Sequence, residues 1–155
     1  MIIEQADSED KRTELDELLW EMLWQPFELP RTVRESLKLV GPQIELIALK
    51  DDVVIGALVA NWISASEIEI RHLAVRQDFQ RHGIGKKLVT ELIRLAARNV
   101  PIQIQTHARN TSLEFFSNLG FRPRGPRLKH VDFDKHGISF QQMYLEQILV
   151  ESPQG

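Results

Sequence analysis

The chain has 155 residues, 22 of them Asp or Glu and 19 Lys or Arg, a formal charge of -3, and an apolar share of 43%. That suffices for one domain whose core folds unaided, and leaves no general attraction to nucleic acid or an anionic membrane, so any basic site must be local. No apolar run approaches the roughly 20 residues of a membrane span, and the absence of cysteine excludes disulfides, thiolate metal sites and Cys nucleophiles.

Met1 to Gln5 reads as a first strand and lacks the basic-then-apolar layout of a secretion signal, so a cytoplasmic location is expected. Asp7 or Ser8 can cap a helix whose Leu15, Leu18, Leu19, Met22 and Leu23 recur at helical spacing, with Trp20 and Trp24 on one face. Pro26 and Pro30 break it; Thr32 starts a second, short helix that Gly41-Pro42 ends. The period then changes. Ile44 to Leu49 and Val53 to Trp62 read as a hairpin around Asp51-Asp52, and Glu67 to Val75 as a third strand. Strict alternation there would put Glu67, Glu69 and Arg71 on one face and Ile68, Ile70 and His72 on the other.

After a glycine loop, Ile84, Leu88, Leu92 and Leu95 form a helical stripe, widened by Val89, Ile93 and Ala96, that ends before Pro101. Ile102, Ile104 and Thr106 alternate as a strand does, and Leu113 to Asn118 forms a short helix stopped at Gly120. Phe121 onward reads as a strand, and Ile138 to Leu149 as the last one. Residues 1–151 are expected to form a single domain, with 152–155 a loose tail. The strand, helix, strand crossover implies one parallel pair inside an otherwise antiparallel sheet.

The segment Gln80-Arg81-His82-Gly83-Ile84-Gly85-Lys86-Lys87 carries the chemistry. Two glycines just before a helix let the backbone pass close to a bulky anion, and the unpaired N–H groups of the first turn can then point at phosphate oxygens. Rival phosphate motifs fail. A dinucleotide fingerprint wants glycine where Leu88 stands and an acid where Thr106-His107 closes the next strand. A P-loop wants four residues between its glycines, where this chain has one. Histidines at 72, 82, 107, 130 and 136 have no metal-site spacing, so no metal is expected.

Gln80-Arg81-His82-Gly83-Ile84-Gly85 resembles the Q/R-x-x-G-x-G/A signature of the GNAT superfamily of acyl-CoA-dependent N-acyltransferases. Leu73-Ala74-Val75 resembles the strand end with which such proteins hold pantetheine, and Phe115 to Phe121 their second motif. Thr106 to Arg109, Leu119 to Pro123 and Gly137 to Met143 resemble a small bacterial branch with few assigned substrates, whose members often have His where Phe140 stands. The resemblance implies an α/β fold: a mixed, mainly antiparallel sheet with a central parallel strand pair, flanked by helices. It also implies acetyl-CoA as co-substrate and direct transfer of its acetyl group to a primary amine, on a small molecule or peptide, in a ternary complex. No nucleic acid or membrane partner is expected. A homodimer is a possible assembly.

Carried onto this chain, the resemblance gives Leu73, Ala74 and Val75 to the pantetheine, and Gln80, Arg81, His82, Gly83, Ile84 and Gly85 to the pyrophosphate, with Lys86 adding charge. Arg109 and Asn110 would touch the pantetheine arm. Glu69 or Glu67, directly or through water, or else His107, would take the amine proton, although a hydrated face or a cross-strand Glu–Arg pair explains the two carboxylates equally well. Trp20, Trp24 and His72 would border the acceptor. Phe116 stands where many members have a proton-donating tyrosine, which leaves Tyr144, the only tyrosine, as the alternative acid. That loss slightly favours a second reading, an acyl-CoA-binding sensor without turnover.

Overall fold

A computed structural model of the chain describes residues 1–37, 39, 41–97 and 102–147. Helix α1, Glu9–Leu19, begins where Ser8 Oγ accepts the Lys11 N–H at 3.2 Å, and it buries Leu15, Leu18 and Leu19. Past Leu19 the chain widens into a π-turn, Trp20–Trp24, then tightens into a 3₁₀ turn, Gln25–Phe27. The two tryptophans expected on one face have different surroundings. Trp24 is buried edge-on to His72, whereas half-buried Trp20 donates its Nε1–H to the Leu29 carbonyl and lies under the Arg31 guanidinium. A short helix α2, Val33–Ser36, follows.

Seven strands form one sheet in the order β1-β2-β3-β4-β5-β7-β6. They are β1 (Ile2–Gln5), β2 (Gln43–Lys50), β3 (Val53–Trp62), β4 (Glu67–Val75), β5 (Ile102–Arg109), β6 (Arg122–Pro123) and β7 (Phe140–Gln147). Asp51 and Asp52, at φ 50° and 63°, make the two-residue turn of the β2–β3 hairpin. Among the described strands only β4 and β5 pair in parallel, and helix α3, Ile84–Ala96, makes the crossover between them. Helix α4 is Leu113–Asn118. The strand expected from Phe121 shrinks to the two residues of β6. A short helix α5, Val131–Asp134, stands in a stretch whose sequence has no period. The expected end of the last strand at Leu149 and the 152–155 tail lie outside the described residues, as does Pro101.

Apolar side chains pack on both faces. Leu88 and Leu92 of α3 meet Leu46, Leu58, Ile68 and Ile104 on one face, while α1 covers Ile47 and Val59 on the other. Burial of each such side chain contributes on the order of 1.5–3 kcal/mol, which fixes α3, and with it the glycine loop, against the sheet. No described helix is long and apolar enough to cross a membrane.

One irregularity matters for function. Val59 pairs with His72 while its neighbour Ala60 pairs with Ile70, so Arg71 is an extra residue, a β-bulge. Beyond it the alternation is reversed: Ile68 and Ile70 pack toward α3, yet so do Leu73 and Val75, while Ala74 joins the α1 side. His72 therefore shares a face with Glu69, contrary to the alternation read from the sequence.

Candidate active site

The parallel ladder stops at Ile70 and Thr106, where Thr106 Oγ1 donates to the Ile70 carbonyl at 3.0 Å. Beyond that point β4 stays with β3 as far as the Val75–Gly56 pair, and β5 stays with β7 as far as Arg109–Phe140. The strands splay apart. Because the Arg76 N–H donates to Ile55 O at 2.8 Å, the alternation of an antiparallel ladder turns the N–H and C=O groups of Leu73 and Val75 the other way, into the gap. Gln80 Nε2 donates to the Val75 carbonyl there, at 2.9 Å, tying the loop to the strand.

In that loop Arg81 and Gly83 have φ of 67° and 77°. The first bond of α3 is from the Lys87 N–H to Gly83 O at 3.0 Å, so the N–H groups of Ile84, Gly85 and Lys86 have no acceptor within the helix. A side chain on Gly85 would come within 3.1 Å of the Phe115 ring, whereas one on Gly83 would meet open space. Arg81, His82, Lys86 and Lys87 are exposed. Three outward amides, a helix N-terminus and local positive charge suit a pyrophosphate, and the gap beside Leu73 to Val75 suits the amide-bearing arm of coenzyme A.

A cavity of about 440 Å³ reaches through the gap. Ile70, Leu73, Thr106, Ala108 and Phe116 line it from the α3–α4 side; Glu69, Arg71, His72, His107 and Arg109 from the other. Glu69 lies between two of its basic side chains. Oε1 lies 3.4 Å from Arg71 Nη1 and Oε2 lies 3.5 Å from His107 Nδ1. The Glu69 side chain is 11% exposed and that of His107 41%, so the pair links the cavity to solvent.

His72 has another character. Burial, helped by the charges of Arg34, Arg71 and Arg109, pushes its imidazole down to about 3, so it stays neutral near pH 7, and its Nε2 has no hydrogen-bond partner among the described residues. Arg109 donates to the Leu23 carbonyl at 2.7 Å and lies against the rings of Phe27 and Phe133. Burial lowers its guanidinium to about 10. Its side chain thus braces the cavity wall opposite α3. The Asn110 side chain is likewise engaged within the protein, donating to Gly137 O and accepting from the Ser139 N–H.

Phe116 lines the cavity at 4% exposure, edge-on to Phe115 and Phe121. Tyr144 does not line it; its hydroxyl accepts from Gln142 Nε2 and its ring lies beneath Arg124. Trp24 lines it and Trp20 does not. Leu128, Lys129 and His130, with Asp132 and Phe133 of α5, form a wall that sequence reasoning missed, since four helical residues are too few to show a period. No group of three or more described His, Asp or Glu could hold a metal ion.

The sequence pattern of the acetyltransferase (GNAT) family matches residues 6–121. Among solved structures, the chain resembles an aminoglycoside 6′-N-acetyltransferase complexed with coenzyme A, at 19% identity over 98% of this chain and 100% of that one, TM-score 0.75. It also resembles Escherichia coli ElaA, at 15% identity over 94% and 100%, TM-score 0.78. A third is an acyl-CoA N-acyltransferase from Pseudomonas aeruginosa, at 16% identity over 93% and 99%, TM-score 0.73. The chain belongs to the acetyltransferase (GNAT) family, a class of acetyl-CoA-dependent N-acetyltransferases.

Proposed function

We propose that the protein transfers the acetyl group of acetyl-CoA directly to a primary amine, with donor and acceptor held together on opposite sides of the strand gap. The observation that carries this is a continuous cavity through the gap, which borders Leu73 and Phe116 on one side and Glu69 and His107 on the other. Gln80 to Gly85 and Lys86 hold the pyrophosphate by backbone N–H groups and charge, and Leu73, Ala74 and Val75 hold the pantetheine by main-chain hydrogen bonds.

The amine nitrogen attacks the thioester carbon, the C–S bond breaks, and the amine proton leaves through Glu69 and His107, directly or by way of water. Backbone N–H groups facing the gap stabilise the developing oxyanion. No covalent enzyme intermediate is required. Phe116 has no proton to give and Tyr144 stands off the cavity, so the thiolate departs unprotonated. A thiol pKa of roughly 8.5 makes that tolerable near neutral pH.

The acceptors that name the aminoglycoside enzymes fit less well. Among the charged cavity residues Arg71, Arg109 and Lys129 oppose only Glu69 and Asp132, a poor setting for a polycation. The second reading, a sensor that binds acyl-CoA without turnover, is favoured by Phe116 alone. Thermal-shift titration with acetyl-CoA followed by thiol release across an amine panel separates the two: binding with transfer supports the enzyme, and binding without any transfer supports the sensor.

A further inference from the structure

We infer that the acceptor is an apolar α-amino acid, held by its own ammonium and carboxylate at the Glu69–Arg71 pair; this rests on the acetyl-transfer reading above. The bulge makes the pair possible. By inserting Arg71 it leaves Glu69, Arg71 and His72 lining the same cavity, with the Arg71 guanidinium and the Glu69 carboxylate 3.4 Å apart. Among the described residues Glu69 is the only partner of the Arg71 side chain, which is 28% exposed. A guanidinium has five N–H donors in a planar fork suited to a carboxylate, so most of its capacity is left for a ligand.

A negative and a positive side chain adjacent in one cavity are the complement of a zwitterion whose amine and carboxylate share a carbon. The amine falls to Glu69, where its proton can pass to half-exposed His107, and the carboxylate to Arg71. Part of the remaining wall is apolar. Leu23, Trp24, Leu29, Val33, Leu37 and Phe133 give room for a large hydrocarbon side chain. A peptide N-terminus would offer Arg71 a neutral amide where a carboxylate belongs, and a simple arylalkylamine would offer nothing.

The test compares L-phenylalanine, L-phenylalaninamide, 2-phenylethylamine and kanamycin as acceptors for the full chain, by thiol release from acetyl-CoA, with acetyl-CoA binding followed separately by thermal shift. The expected result is a kcat/KM for L-phenylalanine about tenfold or more above the other three. Arg71→Gln should reduce the phenylalanine to phenylethylamine ratio by a similar factor while acetyl-CoA binding persists, and Arg71→Lys should restore part of it. If acetyl-CoA binds and the amide, the arylamine or kanamycin is preferred, or if the ratio ignores Arg71→Gln, the amino-acid acceptor is overturned while acetyl transfer stands. If acetyl-CoA does not bind, both fall.

Discussion

Glu69 Oε2 and His107 Nδ1 lie 3.5 Å apart on neighbouring strands, just where the β4–β5 ladder ends. Glu69 pairs in register with Gln105, and the parallel offset brings His107, two residues on, beside the carboxylate at the mouth of the gap. Glu69→Gln keeps the shape and removes the base. It is expected to lower kcat by on the order of 10²–10⁴-fold with little change in the acetyl-CoA Michaelis constant. A variant with full kcat would remove Glu69 from the chemistry.

Gly83 separates coenzyme binding from folding. A side chain there meets open space, although its φ of 77° makes any L residue cost about 1–2 kcal/mol. Gly83→Asp should therefore fold, yet place a carboxylate against the pyrophosphate and weaken CoA binding by about 1–3 kcal/mol, read by calorimetry. Unchanged CoA affinity in the folded variant would refute the loop assignment.

Neutral, buried His72 links stability to acid. Its imidazole titrates near 6.5 when unperturbed and is lowered to about 3 in the native state, so between those values the unfolded chain binds a proton that the native one does not. Its contribution is complete above pH 6.5 and is lost as pH falls toward 3, at up to about 1.4 kcal/mol per pH unit. Urea unfolding at several pH values should show a shallower acid decline in His72→Gln than in the wild type. Parallel declines would contradict the buried neutral imidazole.

The two tryptophans should part company kinetically. Trp24→Phe, on the cavity wall, is expected to raise the acceptor Michaelis constant more than that of acetyl-CoA. Trp20→Phe loses the bond to the Leu29 carbonyl, costing about 1 kcal/mol of stability, and leaves both constants unchanged. Steady-state kinetics on the pair decides, and equal effects would place both residues in the same structural role.

Without an acid at position 116, turnover should rise with pH as the amine deprotonates and show no descending limb from residue 116. Phe116→Tyr should keep or raise the rate, the upper bound of a general acid's help being on the order of 10²–10⁴-fold. A marked loss of rate in a folded, CoA-binding Phe116→Tyr protein would count against a site that tolerates an acid there.

The sequence by itself determined the elements whose signals are local. The hairpin at Asp51-Asp52, the limits of the third strand from Glu67 to Val75, the stripe of α3 and the glycine loop before it each depend on a few neighbouring residues, and each is where the pattern put it. The parallel β4–β5 pair followed too, since a strand, helix, strand order has few ways to close. Tertiary structure alone decided what faces the cavity. The Arg71 bulge is a matter of register against β3, and it moves His72 onto the face of Glu69 in a strand whose own alternation says otherwise. Trp20 and Trp24, four apart in the chain, end in different surroundings because Trp24 packs edge-on to His72 while Trp20 donates to the Leu29 carbonyl. Arg109 is drawn to the Leu23 carbonyl, 86 residues away in the chain, and α5 is too short to announce itself. Such features arise from contacts between distant segments, and no local spacing records them.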